Sequence, residues 1–360
     1  MTREKGRATA PDGTDHPEAP GRPGSPGGAA GTQEGPRPPR GITAATLDLF
    51  RGNWRGLYGF SFGVALFSAL VGAALVAAAF ALSWHNFAVT WKQARDEIAY
   101  EDPPFGYFSE QYTSIVLRSL PFMGLLLVFA VLVLAVLLVA NAVAVRDAAA
   151  GGPALRPGGL WRRSRTYIWR GFRVQLLTLV CVAPLALLAY LVAAFFRSGG
   201  MMGIEIPRLD YWSSTPYRLL GNSLTSLVIA AGVLVWLRLN LATAAAVNDA
   251  PTARAALARS WKLTRGTRRW RALSVCLLLA AVVTAAFTLL SDAAGPVAHT
   301  VGLAVLWLTH DNPYAAGAVM EVVPTAVGLL FLAALVVPPV ATAHALLRTE
   351  LRPAADPAGH

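Results

Sequence analysis

RLNLATAAAVNDAPTARAALARSWKLTRGTRRWR, residues Arg238–Arg271, decides how this chain is read. It leaves a long apolar run, passes an Asp-Ala-Pro sequence at Asp249 to Pro251, and enters a short Ala-rich segment. It then closes on a basic cluster bracketed by Trp261 and Trp270. An aspartate before proline predicts a helix start, since the carboxylate accepts orphan backbone N–H groups and proline fits the first turn. Tryptophans flanking cations suit a helix at a membrane–water boundary, with rings at headgroup depth and guanidinium groups toward phosphate. A solvated basic face on a soluble helix fits poorly, because apolar runs long enough to span a bilayer lie on both sides. The stretch therefore predicts a surface helix on the cytoplasmic leaflet.

Its pattern returns along the chain. AVAVRDAAAGGPALRPGGLWRRSRTYIWRGF places Asp147, Trp161, Arg165, Trp169 and Arg170 in the same order as Asp249, Trp261, Arg265, Trp270 and Arg271. ATLDLFRGNWRGLYGF offers Arg51, Trp54 and Arg55 near the start, and ATAHALLRTEL repeats the lead-in after the last apolar run. Self-similarity of this kind dictates architecture. The predicted unit is an amphipathic interfacial helix followed by two spans, three times over, at about 42–145, 146–248 and 249–348.

Composition agrees. The chain has 360 residues, 55% of them apolar and 14% charged, against about 25% charged in an ordinary soluble domain. Six segments reach the ~18–20 apolar residues of a membrane-crossing helix: Leu57–Ser83, Leu120–Val143, Phe172–Phe196, Leu219–Leu241, Ala272–Leu290 and Val322–Ala345. The fold class expected is an all-α integral membrane protein with six transmembrane helices over residues 41–352. A Pro/Gly-rich disordered tail (1–40) and a short tail (353–360) flank it. No soluble catalytic domain fits beside these spans.

The formal net charge of +11 could point to nucleic acid, but its placement points to lipid. With the spans threaded alternately, 25 of the 31 Lys and Arg fall on one side, while the 20 acids divide equally. That is the positive-inside pattern, and it puts both termini in the cytoplasm of a multi-pass plasma-membrane protein. Arginine outnumbers lysine 28 to 3, which with the Ala-rich spans suggests a high-GC bacterial genome. The first 40 residues contain no apolar signal segment, so the first span is expected to serve as an uncleaved anchor. Cys181 and Cys276 both fall inside spans and do not read as a disulfide framework.

Within the first span, Ala65, Ala69, Ala73, Ala77 and Ala81 recur at every fourth residue, predicting an interior packing face. Trp84 to Ser119 is expected as an external loop whose Trp84, Trp91, Phe105, Tyr107 and Phe108 form an outer aromatic belt. Pro338-Pro339 is the expected helix bend of the sixth span. Pro296 to Thr309 is apolar but short, so it reads as an interfacial or re-entrant helix.

Catalytic patterns are weak. Gly59-Phe60-Ser61-Phe62-Gly63 matches G-x-S-x-G, but that motif needs a strand before it and a sharp turn at the serine. An intramembrane serine hydrolase using Ser61 with His344 as base is the third reading. His299, His310, Asp311 and Asp292 lack metal-site spacing, and no phosphate- or dinucleotide-binding motif is present. No catalytic residue, metal site or cofactor is assigned. No span carries a midplane Asp, Glu or Lys, which argues against an ion-coupled transporter. Polybasic juxtamembrane segments gain ~1 kcal/mol per Lys or Arg near an anionic leaflet. The expected partner is therefore anionic phospholipid and not nucleic acid. Its headgroup contacts are Arg51, Trp54 and Arg55 in the first copy and Trp161, Arg162, Arg165, Trp169 and Arg170 in the second. Trp261, Lys262, Arg265, Trp270 and Arg271 supply the third.

The segments LNLATAAAVNDAPTARAALARSWKLTRGTRRWRAL and ATLDLFRGNWRGLYGF resemble the bacterial membrane domain found fused to some glycerophosphodiester phosphodiesterases. Relatives of that domain also occur as stand-alone proteins. The resemblance covers about Gly41 to Arg352 and is most specific at Ser260-Trp261-Lys262-Leu263-Thr264-Arg265-Gly266 before Trp270-Arg271. The second copy departs from it at Arg163 and Thr166, where the third has Leu263 and Gly266. The resemblance implies a six-span membrane domain. The catalytic barrel needs a long alternation of strands and helices, which this chain lacks, so the hydrolase activity is not expected. The leading functional expectation is a non-enzymatic accessory or scaffold protein, and the alternative is a transporter or lipid-translocating protein.

Overall fold

The computed structural model describes residues 42–99, 107–153, 155–201, 204–207, 209, 214–248, 250–265 and 269–351. The tails expected at 1–40 and 353–360 lie outside these residues, as does Asp249. Among the described residues every regular element is helical, apart from a short antiparallel pair, Gly200–Met201 with Ile204–Glu205. Its helices are α1 (Ile42–Ala99), α2 (Tyr107–Ala149), α3 (Pro157–Ser198), α4 (Thr215–Leu239), α5 (Ala242–Asn248), α6 (Ala253–Leu263), α7 (Arg269–Ala293), α8 (Gly295–Leu308), α9 (Pro313–Phe331) and α10 (Val337–Leu351). A π turn at Leu332–Val336 joins α9 to α10.

Six of these stretches are long and apolar enough to cross a membrane, and each contains one of the six expected spans. The protein is a multi-pass, all-α integral membrane protein. α1 has 58 residues and at 1.5 Å per residue reaches about 87 Å, nearly three times a hydrocarbon core of ~30 Å. In the first two copies the surface segment and the span form one unbroken helix, because no Gly-Pro or Asx-Pro break separates Trp54 from Leu57 or Trp169 from Phe172. Only the third copy has a separate surface helix, α6. Its N-cap is Thr252, whose side chain accepts a hydrogen bond from the Ala255 N–H. The helix thus starts after the Asp-Ala-Pro sequence.

Among the described residues, the apolar core clusters gather where the arginine-rich segments converge. Leu57 and Phe60 of α1 pack with Val136–Ala144 of α2, Leu160 of α3 and Val247 of α5. Leu237, Leu241, Cys276 and Leu347 close a second corner. The hub is α5. Its ATAAAVN sequence is buried from Ala242 to Val247, since small side chains let helices approach closely. Elsewhere the spans present large apolar side chains outward, such as Leu117, Leu125 and Leu127 of α2 and Leu219, Leu227 and Ile229 of α4.

Three local expectations change. In α1, Ala65 is buried, but Ala73, Ala77 and Ala81 are exposed. Four residues turn an α-helix by about 400°, so an every-fourth stripe drifts about 40° per step and winds off the packing face. The buried face instead follows three–four spacing through Leu57, Phe60, Ser61 and Ala65. Much of the expected external loop is helix, since α1 runs on to Ala99. There Trp84 is exposed and Trp91 half-buried, while Phe105 and the side chains of Tyr107 and Phe108 lie outside the described residues. The Pro296–Thr309 stretch is helix α8, packed on α9 with Gly302 against the Met320 side chain.

Candidate anionic-headgroup surface

Local sequence explains how the basic side chains are presented. α6 buries Ala256, Ser260 and Thr264 at spacings of four, and leaves Arg254, Arg259, Lys262 and Arg265 exposed on the other side. The Ser260 hydroxyl donates to the Arg238 carbonyl at 2.6 Å, pinning α6 across the end of α4. Arg51, Trp54 and Arg55 are exposed on α1, and Trp161, Arg162, Arg165 and Trp169 on α3. Trp270 is 72% exposed on α7, beside an exposed Arg271 that pairs with Glu350 at 3.2 Å. Trp261 is half-buried.

Each of the three similar basic segments sets a guanidinium over an indole. Arg55 lies 5.4 Å from the Trp54 ring centroid, Arg173 5.0 Å from Trp169, and Arg265 5.4 Å from Trp261. Such pairs contribute about 0.5–1 kcal/mol at exposed sites and hold a cation beside an amphipathic ring. Arg238 also lies over the Trp261 ring, at 4.7 Å from its centroid.

Arg170 is placed differently from the rest. It is half-buried, and its Nη1 donates to the carbonyls of Ala246 at 3.2 Å and Ala250 at 3.0 Å. Arg146 donates to the Val247 carbonyl at 3.4 Å and to the Tyr167 hydroxyl at 3.0 Å. The last carbonyls of a helix have no intrahelical partners and carry its negative dipole end, so two cations at the end of α5 satisfy both needs. Asp147 bridges Arg146 at 3.6 Å and Arg163 at 2.7 Å. Neither Arg146 nor Tyr167 stands out in the sequence reading. A signal was present, since Arg146-Asp147 in the second copy stands where the third has Asn248-Asp249.

Beneath this surface lies a layer of buried polar pairs joining the helices. Gln175 Nε2 donates to Thr243 Oγ1 at 2.6 Å, and Thr342 Oγ1 donates to Asn141 Oδ1 at 3.3 Å. Asn240 Nδ2 and His344 Nε2 lie 3.1 Å apart. Ser61 lies inside α1, fully buried, and its hydroxyl has no hydrogen-bond partner. The structure does not bring it within hydrogen-bond reach of His344 or any other base, and no strand–turn–helix surrounds it. Among the described residues, no three His, Cys, Asp or Glu side chains gather as metal ligands would.

Comparison with protein-family models, with curated proteins and with solved structures finds no match to this chain. The geometry therefore carries the functional argument by itself. At the bend expected from Pro338-Pro339, Pro338 is buried, and the π turn ends at Val336, one residue short of the pair. A proline removes a helix N–H and crowds the preceding turn, and a wider turn accommodates both effects.

Proposed function

We propose that this chain is a non-enzymatic accessory or scaffold protein of a bacterial plasma membrane. Both termini are cytoplasmic, and the arginine- and tryptophan-rich end rests on anionic headgroups of the inner leaflet. In this reading the three similar segments are pseudo-repeats, and the chain is a relative of the membrane domain fused to glycerophosphodiester phosphodiesterases. The observation that carries the proposal is the set of exposed cations around the Trp–Arg pairs of the three similar segments, at 5.4, 5.0 and 5.4 Å; a further pair, Arg95 with Trp91 at 5.5 Å, lies outside them. A cation held beside an indole serves phosphate and the interfacial zone together.

The test is reconstitution of the full chain in nanodiscs of phosphatidylcholine with rising phosphatidylglycerol. Lipid enrichment around the protein is read by mass spectrometry after extraction into detergent. Phosphatidylglycerol should co-purify in excess of its bulk fraction, and the excess should fall as salt is raised. Recovery at the bulk ratio, with no salt dependence, would overturn the lipid reading. Orientation is checked separately with single cysteines at Arg51 and Arg265 in a chain lacking Cys181 and Cys276. An impermeant maleimide should label them only after the cells are opened.

The lipid-translocating alternative draws on the π turn beside Pro338-Pro339, since interrupted helices line the pathways of many transporters. It predicts flux of a fluorescent phospholipid in vesicles, which the scaffold reading does not.

A further inference from the structure

The end of α5 faces an open cleft of about 300 Å³ lined by Tyr167, Arg170, Val247, Asn248, Ala250 and Pro251. Three of its polar side chains have a donor to give. Arg170 commits only Nη1 to protein, through the two carbonyls that fix its plane. Its Nε and Nη2 make no hydrogen bond among the described residues, and it forms no ion pair there. Tyr167 accepts from Arg146 through its hydroxyl oxygen, which leaves the O–H proton to give. Asn248 uses one amide hydrogen on the Ala244 carbonyl at 3.1 Å and keeps the other. The carbonyls of Ala246, Val247 and Ala250 already accept from Arg170 or Arg146.

Electrostatics point the same way. Both Arg146 and Arg170 lie over the Tyr167 ring, at 5.1 and 6.0 Å from its centroid. Two like charges about one ring repel, and an anion between them relieves that repulsion. Asp147 meets part of this need on the Arg146 side, but it is shared with Arg163. A guanidinium with one nitrogen anchored and two free offers the parallel N–H pair that a phosphate accepts bidentately.

Resting on the lipid reading above, we infer that this cleft is a discrete phosphate-ester site. One phosphoryl group is held by Arg170 and by the hydroxyl of Tyr167, with the Asn248 amide and the Arg146 charge in support. The phosphate belongs either to a phospholipid headgroup or to a soluble phosphate ester.

The test uses the full chain and two variants. Pro251→Glu sets a carboxylate at the exposed rim and removes no hydrogen bond of the fold. Arg170→Lys keeps the charge at the α5 terminus and loses the planar fork. Native mass spectrometry after extraction from phosphatidylglycerol nanodiscs should show one retained phospholipid on the wild-type chain. Both variants should weaken its retention by about tenfold or more, the worth of one charge-assisted hydrogen bond, while Pro251→Glu melts like wild type. A parallel arm titrates inorganic phosphate and glycerol phosphate into the detergent-solubilised chain. Displacement of the lipid by either assigns the site to a soluble phosphate, and retention against both assigns it to the headgroup.

Equal lipid retention by the wild type and Pro251→Glu, or no retained phosphate compound at all, overturns the inference. That failure is distinguishable from failure of the broader reading. Bulk enrichment of phosphatidylglycerol can persist with the cleft empty, and a filled cleft can persist with no bulk enrichment.

Discussion

Arg170 shows how little a cation's position in a motif says about its task. Its counterpart Arg271 lies exposed on α7 and pairs with Glu350, whereas Arg170 turns in to close the end of α5. The difference arises because α3 passes beside α5. The polar layer beneath is also a matter of single residues. The bond between Gln175 and Thr243, at 2.6 Å, ties α3 to α5. Hydrogen bonds between membrane helices contribute about 0.6 kcal/mol on average and reach about 1.7. A double-mutant cycle with Gln175→Leu and Thr243→Val, followed by unfolding in mixed micelles, should give a coupling energy in that range. A coupling of zero would show that the pair merely fills space.

At the scale of elements, close approach matters more than hydrophobicity, since lipid is as apolar as leucine. Gly56 of α1 faces the Leu155 carbonyl with no room for a Cβ. The obstruction is backbone, so it cannot rotate away. Gly56→Ala should therefore lower the unfolding free energy by about 1–3 kcal/mol, as overpacking does elsewhere, whereas Gly63→Ala, which meets open space, should not. Melting of the two variants in detergent, side by side, checks this.

The six spans were legible in the sequence because twenty apolar residues have few other uses. The grouping of basic segments was legible from charge sorting. The alanine stripe misled, because a repeat of four matches neither 3.6 residues per turn nor a packing seam. The cleft was illegible for another reason. Tyr167 and Asn248 meet through the crossing of α3 and α5, 81 positions apart in the chain, and no local pattern encodes that crossing. The helix begins after the Asp-Ala-Pro sequence because Thr252, directly before the Ala-rich segment, accepts from the Ala255 N–H as an N-cap does.

For the molecule as a whole, the apolar clusters all sit at the arginine-rich end, and the large side chains of α2 and α4 beyond it face outward. The other end is tied by polar contacts instead: Asn86 Nδ2 donates to Ser114 Oγ at 2.9 Å and Asn312 Nδ2 to the Phe87 carbonyl at 3.0 Å. Thinning or thickening the surrounding bilayer costs fractions of a kcal/mol per Å of mismatch, and the close-packed apolar end yields last. Chain length of the host lipid should then alter amide exchange near Leu227 while leaving Ala245 unchanged. A protein built this way keeps one face of constant shape for its neighbours in membranes of any gauge.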